Sequence, residues 1–177
     1  MEKNIREIIE KEINIATTNI ISNNMVVINN IDNTTAYVIK ELTGITVTNR
    51  RQVLYDNDIR HMLNTHGNKR REKSRGQIAI TKKDILKIPY ILSKYDYIAI
   101  GSNNHEGQTI RYIKKYKKRI ITIVEVIPKK SDLKIKTMWK IALDDSNTPI
   151  LTPEAQATFN STLSNCSIAK NKRNSKK

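Results

Sequence analysis

The chain has 177 residues, a length typical of one domain with short additions at its ends. Its formal net charge of +15 makes nucleic acid or an anionic membrane the expected class of partner, with a merely soluble basic surface as the alternative. No apolar run reaches the roughly 18 residues of a spanning helix and no signal-peptide pattern is present, so we expect cytoplasmic action. The single cysteine, Cys166, excludes an internal disulfide framework and a cysteine-rich zinc site.

Apolar residues at helical spacing, together with capping residues, predict four helices. The first is amphipathic and could dock a partner or pack on the core, and we favour the core. Asn33 and Asp56 are placed to cap the next two helices. Thr81 and Asp84 form a capping box for the last helix, which Pro89 ends or kinks. In chain order, the helices are predicted over residues 4–22, 34–42, 57–65 and 82–88.

Short segments rich in β-branched residues predict strands. The last three form a meander whose middle strand is almost entirely apolar, as a central strand should be. Its outer strands alternate and carry many lysines, as edge or solvent-facing strands do. The segment from Met25 to Ile28 is too short to assign. The strands are predicted over residues 45–48, 52–55, 77–80, 97–100, 109–116, 120–127 and 133–143.

Helices followed by an antiparallel meander are the α+β pattern. We therefore predict an α+β fold in which N-terminal helices pack on a small twisted antiparallel β-sheet. Changes of composition divide the chain into an N-terminal helical segment over residues 1–32, a main domain over 33–143 and a polar tail over 144–177. The tail ends in KNKRNSKK, which predicts a basic, disordered end.

Two of the three histidines, His61 and His66, precede a charged loop that contains Glu72 and several cations. On a helix, five residues correspond to about 140° of rotation, so this pair is poorly placed to share a zinc ion, and we expect no metal or other cofactor. General acid–base chemistry is the alternative, because imidazole titrates near neutral pH. A helix C-terminus would also favour the charged form of His66. Purely structural histidines remain an open alternative.

The loop after His66 could bind a phosphate. Arg75 can present its guanidinium fork, and Gly76 lets the backbone approach closely. Glu72 could orient one of the cations. A solvated basic loop is the alternative, since such loops are common.

The predicted meander carries aromatic and cationic residues at strand spacing. Tyr112, Lys114 and Tyr116 alternate onto one face, which suits RNA bases and phosphates. On the last strand, Thr137 and Trp139 have the same parity as the apolar positions, so parity predicts a core face and a core tryptophan unless a bulge intervenes. Histidine, arginine and lysine together suit metal-free RNA cleavage, which needs a base, an acid and cations over the phosphate.

The stretch HMLNTHGNKRREKSRGQIAITKKDILKIPYIL resembles the hallmark of phage-associated nucleases of the Barnase–EndoU–Colicin–RelE-like (BECR) group, found in phage and polymorphic-toxin proteins. The pattern is a helical His, an HG at the helix end, an E..RGQ loop and an IT..DI..IP segment. The resemblance continues through the meander and covers roughly residues 34–143. The matching positions are His61, His66-Gly67, Glu72, Arg75-Gly76-Gln77, Ile80-Thr81, Asp84-Ile85 and Ile88-Pro89.

The resemblance implies a ribonuclease toxin with RNA, often tRNA, lying on the sheet's open surface. It also implies an immunity or antitoxin protein as partner, and no membrane partner. The implied catalytic residues are His61 and His66 for proton transfer, Arg75 and Lys114 for the phosphate, and Thr137 as a hydrogen-bond donor to a phosphate oxygen. The implied residues that place bases or orient the catalytic group are Glu72, Gln77, Tyr112 and Trp139.

Two other functions stay open at this point. The basic sheet could grip nucleic acid without cutting it, or the chain could serve a phage particle as a structural or interaction component. The paired histidines beside Arg75 favour the enzyme. The sequence shows neither the RNA species nor whether the chain is part of a larger toxin.

Overall fold

A computed structural model of the protein describes residues 2–18, 22–116 and 119–144. Cys166 and the predicted polar tail beyond residue 144 lie outside the described residues. The helices are α1 (Glu2–Ala16), α2 (Asn33–Thr43), α3 (Asp56–His66), α4 (Lys69–Ser74), α5 (Lys82–Ile85) and α6 (Ile88–Ser93). The strands are β1 (Met25–Asn30), β2 (Arg51–Tyr55), β3 (Gln77–Ile78), β4 (Tyr97–Asn104), β5 (Gly107–Tyr116), β6 (Ile120–Pro128) and β7 (Asp132–Ala142).

The strands form one sheet in the order β1-β2-β7-β6-β5-β4, with β3 also paired to β7. Strand β7 is central: the start of β7 pairs in parallel with β2, and its end pairs antiparallel with β3. All the other pairings are antiparallel. The predicted α+β class, with helices packed on a mainly antiparallel sheet, is confirmed.

One face of the sheet carries the main hydrophobic core. Ile9 and Ile13 of α1 pack there with Ile59 and Met62 of α3 and the sheet residue Val124. Fully burying an aliphatic side chain contributes roughly 1.5–3 kcal/mol, so this layer dominates the stability of the fold. Helix α1 lies in this core and β1 pairs with β2, so the N-terminal segment packs against the main domain.

Strand β7 contains a bulge at Lys136, where the pairing with β6 shifts by one residue. On the N-terminal side of the bulge, Ile135 faces the helix-covered core, and beyond it Met138 does. Thr137 and Trp139 therefore point to the opposite face of the sheet. The parity argument that made Trp139 a core residue on the face of Ile135 is wrong, because one extra residue reverses the alternation.

Several elements differ from their predicted form. The first helix ends at Ala16, and Ile45–Thr48 forms no strand. The charged loop contains helix α4, because the Asn68 side chain caps it by accepting from the Arg71 amide at 3.1 Å. Pro89 is the second residue of helix α6, in the first turn, where the missing N–H of proline removes no hydrogen bond within the helix. The three meander strands and the helix before His66 are confirmed.

Asp84 ties helix α5 to the sheet. Its Oδ2 accepts from the Thr81 amide at 2.9 Å and from Lys140 Nζ of β7 at 2.7 Å, and its Oδ1 accepts from Lys87 Nζ at 3.1 Å. Burial raises the pKa of this carboxyl, but its hydrogen bonds to Lys140, Thr81 and Lys87 outweigh burial and lower the pKa to about 2. The IT..D part of the motif therefore has a structural role.

We expect Asp84→Asn to lower the free energy of unfolding by about 2 kcal/mol at pH 7, since each unit of pKa difference corresponds to about 1.4 kcal/mol. The folded-state pKa lies below the unfolded one, so this stabilisation is complete above about pH 4 and is lost as the pH falls towards 2. Urea unfolding at pH 7 and at lower pH measures the difference. A gap between wild type and variant that does not shrink in acid would contradict the prediction, and Glu41→Gln, at an exposed site, is the control.

Candidate active site

His66 and Glu72 form a buried pair at the junction of α3 and α4. The side chain of Glu72 is 0% exposed, and its Oε2 lies 3.0 Å from Nδ1 of His66. Its Oε1 accepts from Nη1 of Arg75 at 3.1 Å. An ionised carboxylate only accepts hydrogen bonds, so Nδ1 carries the hydrogen and Nε2 is the nitrogen left for a substrate. Among the described residues, nothing is hydrogen bonded to Nε2.

Trp139 joins this pair to a second cation. Its ring stacks on His66 with 6.3 Å between ring centroids and an interplanar angle of 29°. On β5, the guanidinium carbon of Arg111 lies 5.3 Å from the centroid of the same indole ring. Arg111 Nε donates to Glu125 Oε2 at 2.7 Å. The indole therefore contacts both an imidazole and a guanidinium.

The face that carries Arg111, Glu125, Thr137 and Trp139 is called the site face below. Arg111 pairs with Glu125 across β5 and β6, and Glu125 pairs with Thr137 across β6 and β7, so these three side chains form one row. Thr137 Oγ1 is buried and has no hydrogen-bond partner among the residues that the structure describes. Gln77 of β3 pairs with β7 two residues beyond Trp139, and its Oε1 is also buried without a described partner.

Two glycines shape this region. Gly76 has a φ of 69°, a left-handed conformation that turns the chain from α4 into β3. At Gly101, an added Cβ would lie 2.2 Å from Thr109 Oγ1 and 3.2 Å from Glu125 Oε2. The absence of a side chain at Gly101 therefore leaves space for the Glu125 side chain, which is bound to Arg111.

Lys114 and Tyr112 lie on the other face, with the helices. Tyr112 is 0% exposed and accepts from Gln52 Nε2 at 3.0 Å, and burial strongly raises the pKa of its hydroxyl. Lys114 Nζ donates to Asp96 Oδ1 at 2.9 Å. The prediction that the Tyr112 ring contacts RNA bases is wrong, because Tyr112 is part of the core.

His61 is exposed on α3, and Asp58 is its charged neighbour on the same helix. No hydrogen bond within the described part of the chain joins His61 to His66 or Glu72. The structure therefore gathers His66, Glu72 and Arg75 with Thr137 and Trp139, and leaves His61 apart from them.

Sequence reasoning missed Arg111 and Glu125. A signal for both was present: Glu125 is the single charge in the apolar run of β6, and a buried carboxylate needs a cationic partner. Arg111 lies directly across from it. Both carboxylates of the region, Glu72 and Glu125, are paired with cations. In residues 2–18, 22–116 and 119–144, no three His, Cys, Asp or Glu side chains are grouped so that they could hold a metal ion.

Helices packed on a mainly antiparallel sheet, with this group of side chains at one face of it, agree with the fold of a nuclease-type domain. The chain belongs to the family described as phage-Barnase-EndoU-ColicinE5/D-RelE like nuclease3, whose model matches residues 29–148, more than half of the chain. The resemblance predicted from the HG…E..RGQ string is thus confirmed. No curated protein and no solved structure matches the chain significantly. None of the described helices is both long and apolar enough to cross a bilayer.

Proposed function

We propose that the chain is a metal-independent endoribonuclease that cleaves RNA, with tRNA as the expected substrate, through attack of a ribose 2′-OH on the adjacent phosphate. The observation that supports this most is the His66–Glu72 pair stacked against Trp139. Glu72 orients the imidazole through Nδ1, so that Nε2 can take up or deliver a proton at the reacting phosphate.

The cations around His66 have a complementary role. Arg75 and Arg111 stabilise the negative charge that develops on the phosphate, and a planar guanidinium can contact two of its oxygens at once. Thr137 Oγ1, which has no described partner, donates to a phosphate oxygen. Arg111 replaces Lys114 in this proposal, because Lys114 lies on the other face with Asp96.

A base stacked on Trp139 would place the scissile bond near His66, since aromatic side chains bind unpaired RNA bases by stacking. His61 is kept as the second proton-transfer group on the sequence resemblance alone, since no hydrogen bond among the described residues joins it to the His66–Glu72 pair. An immunity or antitoxin protein is the expected protein partner, and the net charge of +15 favours an acidic one.

We expect the purified chain to cleave total tRNA in excess EDTA and to leave fragments with 2′,3′-cyclic phosphate ends. The 2′-OH mechanism closes a ring on the phosphate and needs no metal ion to activate water. Denaturing gels measure cleavage, and mass spectrometry of the fragments identifies the ends. DNA of the same sequence lacks the 2′-OH and is the uncut control. Cleavage that stops in EDTA, or that proceeds equally on DNA, would overturn the proposal.

A nucleic-acid-binding module without cleavage is the second candidate. The observation that favours it is the placement of cations over aromatic rings, with Lys115 over Tyr97 at 5.1 Å and Lys134 over Tyr55 at 5.2 Å. Intact RNA together with a strongly salt-dependent gel shift would support the binder in the same experiment.

A further inference from the structure

Lysines and tyrosines meet where α6 packs against the end of β5, away from the His66–Glu72 pair. This corner surface consists of Lys87, Tyr90, Lys94, Tyr97, Lys114 and Lys115. Lys114 and Lys115 are consecutive on β5 and so point to opposite faces of the sheet. Each places its ammonium group near a tyrosine ring: Lys114 Nζ lies 5.7 Å from the centroid of Tyr90 and Lys115 Nζ lies 5.1 Å from that of Tyr97.

Asp96 lies at the corner. Its Oδ1 accepts from Lys114 Nζ at 2.9 Å and its Oδ2 from the Lys115 backbone amide at 2.8 Å. Tyr90 is 50% exposed, which is unusual for so large a side chain. Lys94 is exposed one helical turn after it.

Charge at the corner favours a polyanion. The corner surface contains four lysines, and the carboxylates beside them are Asp84 and Asp96, of which Asp96 is paired with Lys114. One of the two aspartates, Asp84, is buried and bound to Lys87 and Lys140. The exposed ring of Tyr90 and the partly buried ring of Tyr97, interleaved with lysines, form a pattern that binds unpaired nucleic acid by stacking of bases and contact with phosphates.

The corner also has a direct relation to the site face. Tyr97 pairs with Ile113, Ile113 with Ile123 and Ile123 with Trp139, so Tyr97 and Trp139 lie in one row across four strands. Three strand spacings of about 4.8 Å separate them by about 14 Å. Ile113 and Ile123, the two residues between them, are each 2% exposed, so the row relates the corner to Trp139 by distance and not by an open surface.

We propose that the corner surface is a second, non-catalytic binding site for single-stranded nucleic acid, which holds the RNA flanking the cleaved bond. This rests on the proposed function for the identity of the ligand as substrate. Binding itself does not require the 2′-OH. An oligodeoxythymidylate of 20 nucleotides, dT20, therefore tests the corner without cleavage.

The test compares two matched double variants of the full chain. Tyr90→Ala with Lys94→Ala changes the corner, and Tyr37→Ala with Lys40→Ala removes the same residue types from α2, where Tyr37 is 63% exposed. We expect the corner variant to bind dT20 about tenfold or more weakly by fluorescence anisotropy, and the α2 variant to bind within twofold of wild type. The slope of log affinity against log salt should also fall by about 0.7 in the corner variant alone, for one lost phosphate contact.

Equal losses in the two variants, or no binding of dT20 by wild type, would overturn the proposal. So would unchanged dT20 binding together with lost binding to phosphatidylserine vesicles, which would assign the corner to a membrane surface. Tyr90→Phe with Lys94→Arg should restore binding, because it keeps a ring and a cation. If wild type fails to cleave any RNA, the proposed function fails, and the dT20 measurements still decide this proposal.

Discussion

Replacing His66 with alanine is expected to slow RNA cleavage by two or more orders of magnitude, as the loss of a general acid or base does. The imidazole is the group that Glu72 holds through Nδ1 and that Trp139 supports by stacking. With alanine, the phosphate keeps its cations but loses the imidazole that moves the proton at Nε2. Single-turnover cleavage of a labelled RNA oligonucleotide measures the rate of the chemical step.

Two further variants test whether the lower cleavage rate is due to the loss of the His66 imidazole. His66→Gln keeps an amide donor towards Glu72, so it should fold like wild type in a thermal melt and still be as slow as the alanine variant. His61→Ala tests the second histidine: a comparable loss supports shared proton transfer, and an unchanged rate leaves His66 to act with another group. Full activity in all three variants would disprove the assignment of roles to the histidines.

Glu72→Gln is expected to lower kcat by roughly 10–100-fold with little change in KM, because Glu72 acts through His66 and Arg75 rather than on the substrate. Glutamine has nearly the same shape, but its neutral amide cannot hold an imidazolium and a guanidinium together. Steady-state kinetics on the same oligonucleotide separates kcat from KM. Glu72 is therefore a positioning residue.

The control for Glu72 is Asp84→Asn. Both changes neutralise a buried carboxylate that accepts from two or more donors, and both should lower stability. Asp84 lies with the helices, so its loss should leave kcat within about twofold at a temperature where both variants are folded. A kcat that falls equally in the two variants would show that Glu72 contributes only stability.

Much of the fold could be predicted because local pattern and tertiary context agree. The apolar run of β6 and the turn residues around it define the meander, and the apolar spacing from Ile59 to Leu63 defines α3. Pairings between distant segments, such as that of β3 with β7, produce no pattern in the nearby sequence from which they could be predicted. Ile45–Thr48 has strand-like composition, yet it forms no strand in the fold.

The candidate site was harder to predict, because the side of the sheet to which each strand residue points depends on how the strands pair. On β5, one face carries Tyr112 and Lys114 and the other carries Arg111 and Ile113, so each face combines a cation with an apolar or aromatic side chain. Alternation alone does not show which of these two faces packs against the helices. On β7, the bulge at Lys136 determines which face packs against the helices, and the local composition does not predict this bulge. The HG…E..RGQ stretch was informative because His66, Glu72 and Arg75 are joined by contacts close in sequence.

The central place of β7 in the sheet has a consequence for synthesis on the ribosome. This strand is the last described strand to be made, yet it bridges β2 and β6 and carries Thr137 and Trp139. A growing polypeptide can collapse its early helices, but the sheet stays in two halves until residues beyond 142 have left the exit tunnel. A domain built this way gains Thr137 and Trp139, and with them the joined sheet, only after β7 has emerged and paired with both β2 and β6.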